Sequence, residues 1–503
     1  MDYLLELKSG YDRVAHLLDI PDNTSGKESL LNQFFHLLIH GVVGTDEEAA
    51  EKLYGAGKDG SFPPYQKLKA KLKIHLPYRL CQLTTPVENA GPSTVFVAKM
   101  YLLWGRECKA RHKVMATEWL MKEAFRLGES VEQFRIAREA AEELCELYAG
   151  PLYNPGLFQR FRKAVAHNAE QEETLGILQM HYYKLRGMET RRDRRLREAG
   201  NSFEAMFNET VELTRNREGT KVVNYGYGIL VSISMLRRDP ALGRKFAEEA
   251  LVRAKNQTYR RDSLLKVKAT SLIVQLSKLG DHHACLQVLE EWKHLSVPGT
   301  LGRYVYIFYR IISLLSLGRY PESVVESRAV NIAEVKKGYS KENALSYYFI
   351  FAYQFILAKA GLVPSENLPS QVANFRLHRF MNQVQVFEKN KQGYNIHIRI
   401  IELFHLVIHR NYDTFIDRME SVDKYVQRYL SEPEHRRNGL FLQLLASAGR
   451  YNFDADALEL GEKKQIAEFM ALENTAFLID TASTEFIPYE AQWKIFLDIL
   501  RAG

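Results

Sequence analysis

Cysteine is scarce: Cys81, Cys108, Cys145 and Cys285 are the four in 503 residues, and no two form a Cys-x-x-Cys pair. This argues against a disulfide framework and a thiolate zinc site, and marks the four as small buried residues. Proline (15) and glycine (30) are too few for a linker-rich chain. With 46% hydrophobic and 26% charged residues, extensive disorder is not expected. No run of about 18 apolar residues is present, and Met1-Asp2-Tyr3-Leu4-Leu5-Glu6 lacks the basic region and apolar stretch of a secretory signal. A cytoplasmic location without transmembrane association is the expectation. Phosphate-cradling loops are also missing. Gly55-Ala56-Gly57-Lys58-Asp59-Gly60 lacks the P-loop spacing and the Ser or Thr after lysine, and Tyr225-Gly226-Tyr227-Gly228 sits in a helical apolar run, where close helix packing explains it.

What the chain has instead is apolar helical periodicity interrupted by short turns. Leu279-Gly280-Asp281 and Leu317-Gly318-Arg319-Tyr320 each end one apolar helix and begin another. Weaker echoes lie at Leu127-Gly128-Glu129, Arg410-Asn411-Tyr412 and Ala448-Gly449-Arg450-Tyr451. Helix pairs are predicted near residues 110–148, 221–255, 261–295, 302–337, 341–382, 395–430 and 434–470. Residues 1–90 form a separate helical region: a helix stopping at Gly41, a second from Asp46 to Leu53, a loop at Gly55, Gly57 and Gly60, then Leu68, Leu72, Leu76 and Leu80 at helical spacing with a break at Pro77. Residues 91–486 carry the repeating pairs. A terminal capping helix follows in 487–503, with Trp493, Phe496, Leu497 and Leu500 on one face.

Gly280-Asp281-His282 and Gly318-Arg319-Tyr320, with the small residues Cys285 and Ser323 after them, resemble the turn of the tetratricopeptide family. The spacing between turns, roughly 38 to 50 residues, exceeds the family's repeat of about 34. Ile273, Ile311 and Leu403 stand where the family prefers Gly or Ala, so more open helix packing is expected. Asn395-Ile396-His397-Ile398, Asp417-Arg418-Met419-Glu420, Arg436-Arg437-Asn438 and Ile487-Pro488-Tyr489-Glu490 resemble an uncharacterised family of tetratricopeptide-like proteins from Bacteroidota. The resemblance implies an all-α, right-handed helical-repeat solenoid and carries no activity with it.

A solenoid of this kind is expected to be a non-enzymatic interaction scaffold or adaptor without cofactor or metal, whose partner is a protein or an amphipathic peptide. Inner-face positions include Val267, Thr270 and Val274, then Val305, Phe308 and Ile312, then His397, Ile400 and Phe404. Val305, Phe308, Ile312, Ile400 and Phe404 are the candidate partner-binding residues, unless the chain's own terminal helices fill that face. The alternative is a nucleic-acid-associated regulator. Net charge is +7, and between Lys184 and Arg197 the residues Arg191, Arg192, Arg194 and Arg195 are candidate electrostatic contacts, with Lys67, Lys69, Lys71, Lys73 and Arg79 as a second basic cluster. Glu402, His405 and His409 at i, i+3 and i+7 have metal-capable chemistry, as do His36 and His40, but no companion ligand set accompanies them, and interhelical hydrogen bonding is the preferred reading. His282 and His283 adjoin a turn, with no oriented nucleophile or carboxylate identifiable beside them.

Overall fold

The computed structural model describes residues 30–72, 91–191, 200–297 apart from 238, 258 and 260, 300–338, 341–384, 393–472 and 485–502. Among these residues every regular element is a helix. The chain divides into two compact units, Met1–Glu173 and Thr174–Gly503.

The first unit begins with α1 (Leu30–Ile39), α2 (Asp46–Tyr54) and α3 (residues 63–72). Gly41, with φ 69°, closes α1. A capping box starts α2: the Thr45 side chain accepts from the Glu48 amide while Glu48 reaches back. Phe34, Phe35 and Leu38 of α1 meet Tyr65 and Leu72 of α3 in a small core. Asp46 ties α2 to α3, accepting from Tyr65 Oη at 2.6 Å and Lys69 Nζ at 2.8 Å. Leu76, Leu80 and Pro77 lie outside the described residues. Then come α4 (Gly91–Ala110), α5 (Val114–Ser130) and α6 (Phe134–Ala149), packed in succession. Their contacts are close because small residues meet. A Cβ on Gly128 would stand 2.9 Å from the Ala137 amide nitrogen, and one on Gly105 would stand 2.6 Å from Met121 Cε.

The 37-residue α7 (Pro155–Arg191) carries Gly176 and Gly187, each with open space at its Cβ position, without a break. The second unit continues with α8 (Gly200–Asn216), α9 (Thr220–Leu236), α10 (Pro240–Lys255), α11 (Arg261–Lys278), α12 (His282–Glu291), α13 (Leu301–Ser316), α14 (Tyr320–Ser327) and α15 (Ile332–Gly338). It is completed by α16 (Lys341–Lys359), α17 (Ser370–Ala373), α18 (Leu377–Val384), α19 (Tyr394–Ile408), α20 (Tyr412–Tyr429), α21 (Arg436–Ala446), α22 (Ala455–Gly461), α23 (Lys463–Met470) and α24 (Tyr489–Arg501). Consecutive helices pack on one another from α8 to α14. The final helix buries Trp493, Phe496, Leu497 and Leu500 against α19, α21 and α22.

One turn recurs. A residue with positive φ follows the helix, and the amide after it bonds back five residues, which satisfies a helix-end carbonyl and positions the next N-cap. Gly280 (φ 70°) is followed by Asp281 N–H to Leu276 O at 3.0 Å, and Gly318 (φ 72°) by Arg319 N–H to Leu314 O at 2.9 Å. Arg410 (φ 51°) does the same with Asn411 N–H to Leu406 O at 2.9 Å. Two echoes need correction. Gly128 lies inside α5, and the left-handed residue there is Glu132 (φ 53°). Gly449 belongs to a 3-10 turn, and the reversal falls on Asn452 (φ 49°) and Phe453 (φ 64°). Both glycines serve close packing: a Cβ on Gly449 would be 2.4 Å from Met419 Sδ.

Candidate interaction surfaces

Of the five apolar partner-binding candidates, Ile312, Ile400 and Phe404 are core residues, 3%, 0% and 1% exposed. Phe404 meets Phe496 of α24 edge to face at 5.2 Å, so the chain's own last helix covers this position. Val305 and Phe308 are half-buried. Phe308 contacts the Tyr347 ring at 5.5 Å, and Val305 borders a cavity of only about 30 Å³, too small for more than a water. Arg191 is the last residue of α7; Arg192, Arg194 and Arg195 lie outside the described residues.

The histidine groupings are engaged by neighbouring side chains. Glu402 pairs with Arg399 at 3.4 Å and with Arg418 of α20 at 3.0 Å, whereas His405 and His409 stack beside Phe355 of α16. Burial, then the adjacent His409, lowers His405 to a pKa of about 4, so it is neutral at physiological pH. His36 and His40 stack on each other at 5.9 Å. Among the described residues no group of three or more His, Cys, Asp or Glu is placed to hold a metal ion. His282, next to a turn, is half-buried, faces Ser313 Oγ at 3.3 Å, and is lowered by burial to about 4. Gly226 is a helix-contact residue: a Cβ there would lie 2.1 Å from Thr214 Oγ1. Burial lifts the Cys285 thiol to about 11, an unreactive state at neutral pH.

Two surface features carry more than these motifs. In the first unit, the close approach of α4 and α5 at Gly105 brings Trp104 and Trp119 to the surface together, 52% and 56% exposed, beside the more exposed Leu103 and Met115. Tyr101 joins them edge to face, at 6.4 Å from Trp104 and 5.6 Å from Trp119. Large rigid aromatics clustered in the open are the composition of an interaction hot spot.

The second feature arises where the helical pairing fails. After α16, Gly361 (φ 74°) reverses the chain, and Pro364 and Pro369 take extended backbone on either side of a 3-10 turn (Ser365–Asn367) before α17 begins. The helix pair predicted near residues 341–382 has its second member, after α16, broken at residues 374–376 into α17 and α18, which cover α16 incompletely. They leave a cleft of about 320 Å³ with Tyr348, Phe351, Phe375 and Phe380 as apolar wall and Arg376 and Arg379 at its edge. Both arginines are exposed, and neither makes an ion pair among the described residues.

Two buried charges shape the second unit. Arg437 makes a fork with Glu485 at 2.8 and 3.3 Å and reaches Glu490 at 2.7 Å and the Leu472 carbonyl at 2.9 Å. Burial works against the guanidinium, but these bonds to Glu485 and Glu490 outweigh it and raise its pKa. The fork fastens the segment entering α24, where Glu485 also accepts from the Tyr489 amide at 2.8 Å. Lys268, 2% exposed, donates to the Asn224 carbonyl at 2.8 Å, and burial lowers it to about 7.

No protein-family model and no curated protein sequence matches this chain. No described helix is long and apolar enough to cross a membrane.

Proposed function

We propose that the chain is a non-enzymatic interaction scaffold built as a tetratricopeptide-like, right-handed helical solenoid, and that it displays an aromatic surface to a partner protein. The observation that carries this reading is the pair of exposed tryptophans, Trp104 and Trp119, clustered with the half-buried Tyr101 on two packed helices of a hairpin. The recurring left-handed turn supports the repeat architecture, because one closure geometry reused along the chain gives one hairpin unit reused along the chain. Trp104 and Tyr101 stand three residues apart on α4, and Met115 and Trp119 four apart on α5, so each helix contributes side chains from one face to an apolar patch. An amphipathic partner helix suits it, burying its spaced apolar anchors among the rings. Capture from the native cell at low and high salt, with and without nuclease, tests the functional class. A protein partner in fixed stoichiometry that survives salt and nuclease is expected; assembly destroyed by nuclease and weakened steeply by salt would establish the nucleic-acid alternative instead.

A further inference from the structure

We propose that the cleft between α16 and the α17–α18 segment binds an acidic peptide carrying an aromatic or large aliphatic side chain; this rests on the scaffold reading and supplies its charge selectivity. Its volume, about 320 Å³, stands at the small end of ligand sites, near the size of one or two peptide side chains. Phe351 and Phe380 are buried; Phe375 and Phe349 pack on Phe380 at 5.7 and 5.4 Å, and Tyr348 meets Phe351 edge to face at 6.4 Å. They form a fixed apolar floor for one inserted side chain. Because these rings belong to the core, they do not offer the free π-faces on which nucleic-acid bases stack.

The rim sets the charge of the ligand. Arg376, just before α18, and Arg379, in its first turn, both line the cleft. Elsewhere in this protein Arg106, Arg244, Arg310, Arg436 and Arg501 each reach a carboxylate. The pair at the cleft is left without one among the described residues. A guanidinium holds a carboxylate through two parallel N–H donors, so two arginines beside an apolar floor suit acidic side chains flanking an apolar one. The amides of Gln371, Asn374 and Gln383 stand in the same lining and can pair with the peptide main chain.

The test uses the full chain and fluorescence anisotropy with a fluorescein-labelled, C-terminally amidated peptide Gly-Ser-Asp-Phe-Glu-Ser-Gly, its Asn/Gln counterpart, and a labelled oligouridine. The acidic peptide should bind at least about tenfold more tightly than the Asn/Gln peptide. The double variant Arg376→Gln, Arg379→Gln should abolish that preference without moving the melting temperature, since both side chains are exposed. Arg376→Lys with Arg379→Lys should retain only part of it, because lysine keeps the charge and loses the fork. Absence of binding at about 1 mM peptide, equal affinity for the two peptides, a preference that survives the Gln variant, or oligouridine displacing the peptide would each overturn the assignment. Should the peptide fail while a protein partner is still captured through Trp104 and Trp119, the cleft proposal falls and the scaffold reading stands.

Discussion

Three glycines in the second unit should respond with opposite signs to the same substitution, because alanine meets a different obstacle at each. At Gly318 a Cβ finds nothing within 4 Å, so the only penalty is the backbone, held at φ 72°. The left-handed region costs an L-residue about 1–2 kcal/mol, and the restricted unfolded chain of alanine returns about 0.4–1 kcal/mol. Gly318→Ala should therefore destabilise by about 1 kcal/mol. Gly228 also has open space around its Cβ position but sits within α9 without positive φ. Gly228→Ala should stabilise by about 0.5–1 kcal/mol, the ordinary helix difference. At Gly226, inside the same helix, the new Cβ would fall 2.1 Å from Thr214 Oγ1, and forcing α8 and α9 apart should cost about 1–3 kcal/mol. Urea unfolding followed by far-ultraviolet circular dichroism reads all three, and all three lie in the same compact unit. If Gly318→Ala stabilised as Gly228→Ala does, the left-handed closure of the turn would be refuted.

Further expectations follow from the same reasoning. Arg410→Gly, at a left-handed position occupied by a residue with a side chain, should stabilise by about 0.5 kcal/mol in the same urea assay. Lys268 binds its proton more weakly folded (about 7) than unfolded (10.5), so the unfolded state carries the extra proton between those values and stability should rise with pH across that window, by up to about 1.4 kcal/mol per pH unit. Lys268→Met should remove this slope, and an unchanged slope would show that Lys268 is not its source. Arg437→Met leaves Glu485 buried without its partner and should cost about 3–5 kcal/mol, with α24 losing protection from hydrogen exchange first; uniform loss across the unit would contradict the fastening role.

The helical pairs were legible because each apolar face repeats at helical spacing and because glycine marks a left-handed turn cheaply, as at Gly280 and Gly318. Where Glu132 and Phe453 take positive φ, the residue type gives no warning, so Gly128 and Gly449 drew the turn to the wrong place. Apolar periodicity identifies a face without saying what covers it. Ile400 and Phe404 have the spacing of a partner-facing stripe, yet Ile400 is fully buried and Phe496 of α24, about ninety residues further along, packs on Phe404. The same blindness hid Trp104 and Trp119, which stand off the phase of the buried Ala98, Leu102 and Met121. Arg376 and Arg379 belong to no motif. Their setting depends on the break at residues 374–376, for which Pro364 and Pro369 were the available signal.

Partner capture by the wild-type chain and by the double variant Trp104→Ala, Trp119→Ala, performed after nuclease treatment and quantified by mass spectrometry, tests the interaction surface most directly. Both tryptophans are more than half exposed, so the variant should keep the wild-type melting temperature. The account predicts a protein partner bound in fixed stoichiometry by the wild type and depleted at least about tenfold by the variant, the loss expected when two hot-spot aromatics are truncated. Undiminished capture by a folded variant would contradict it.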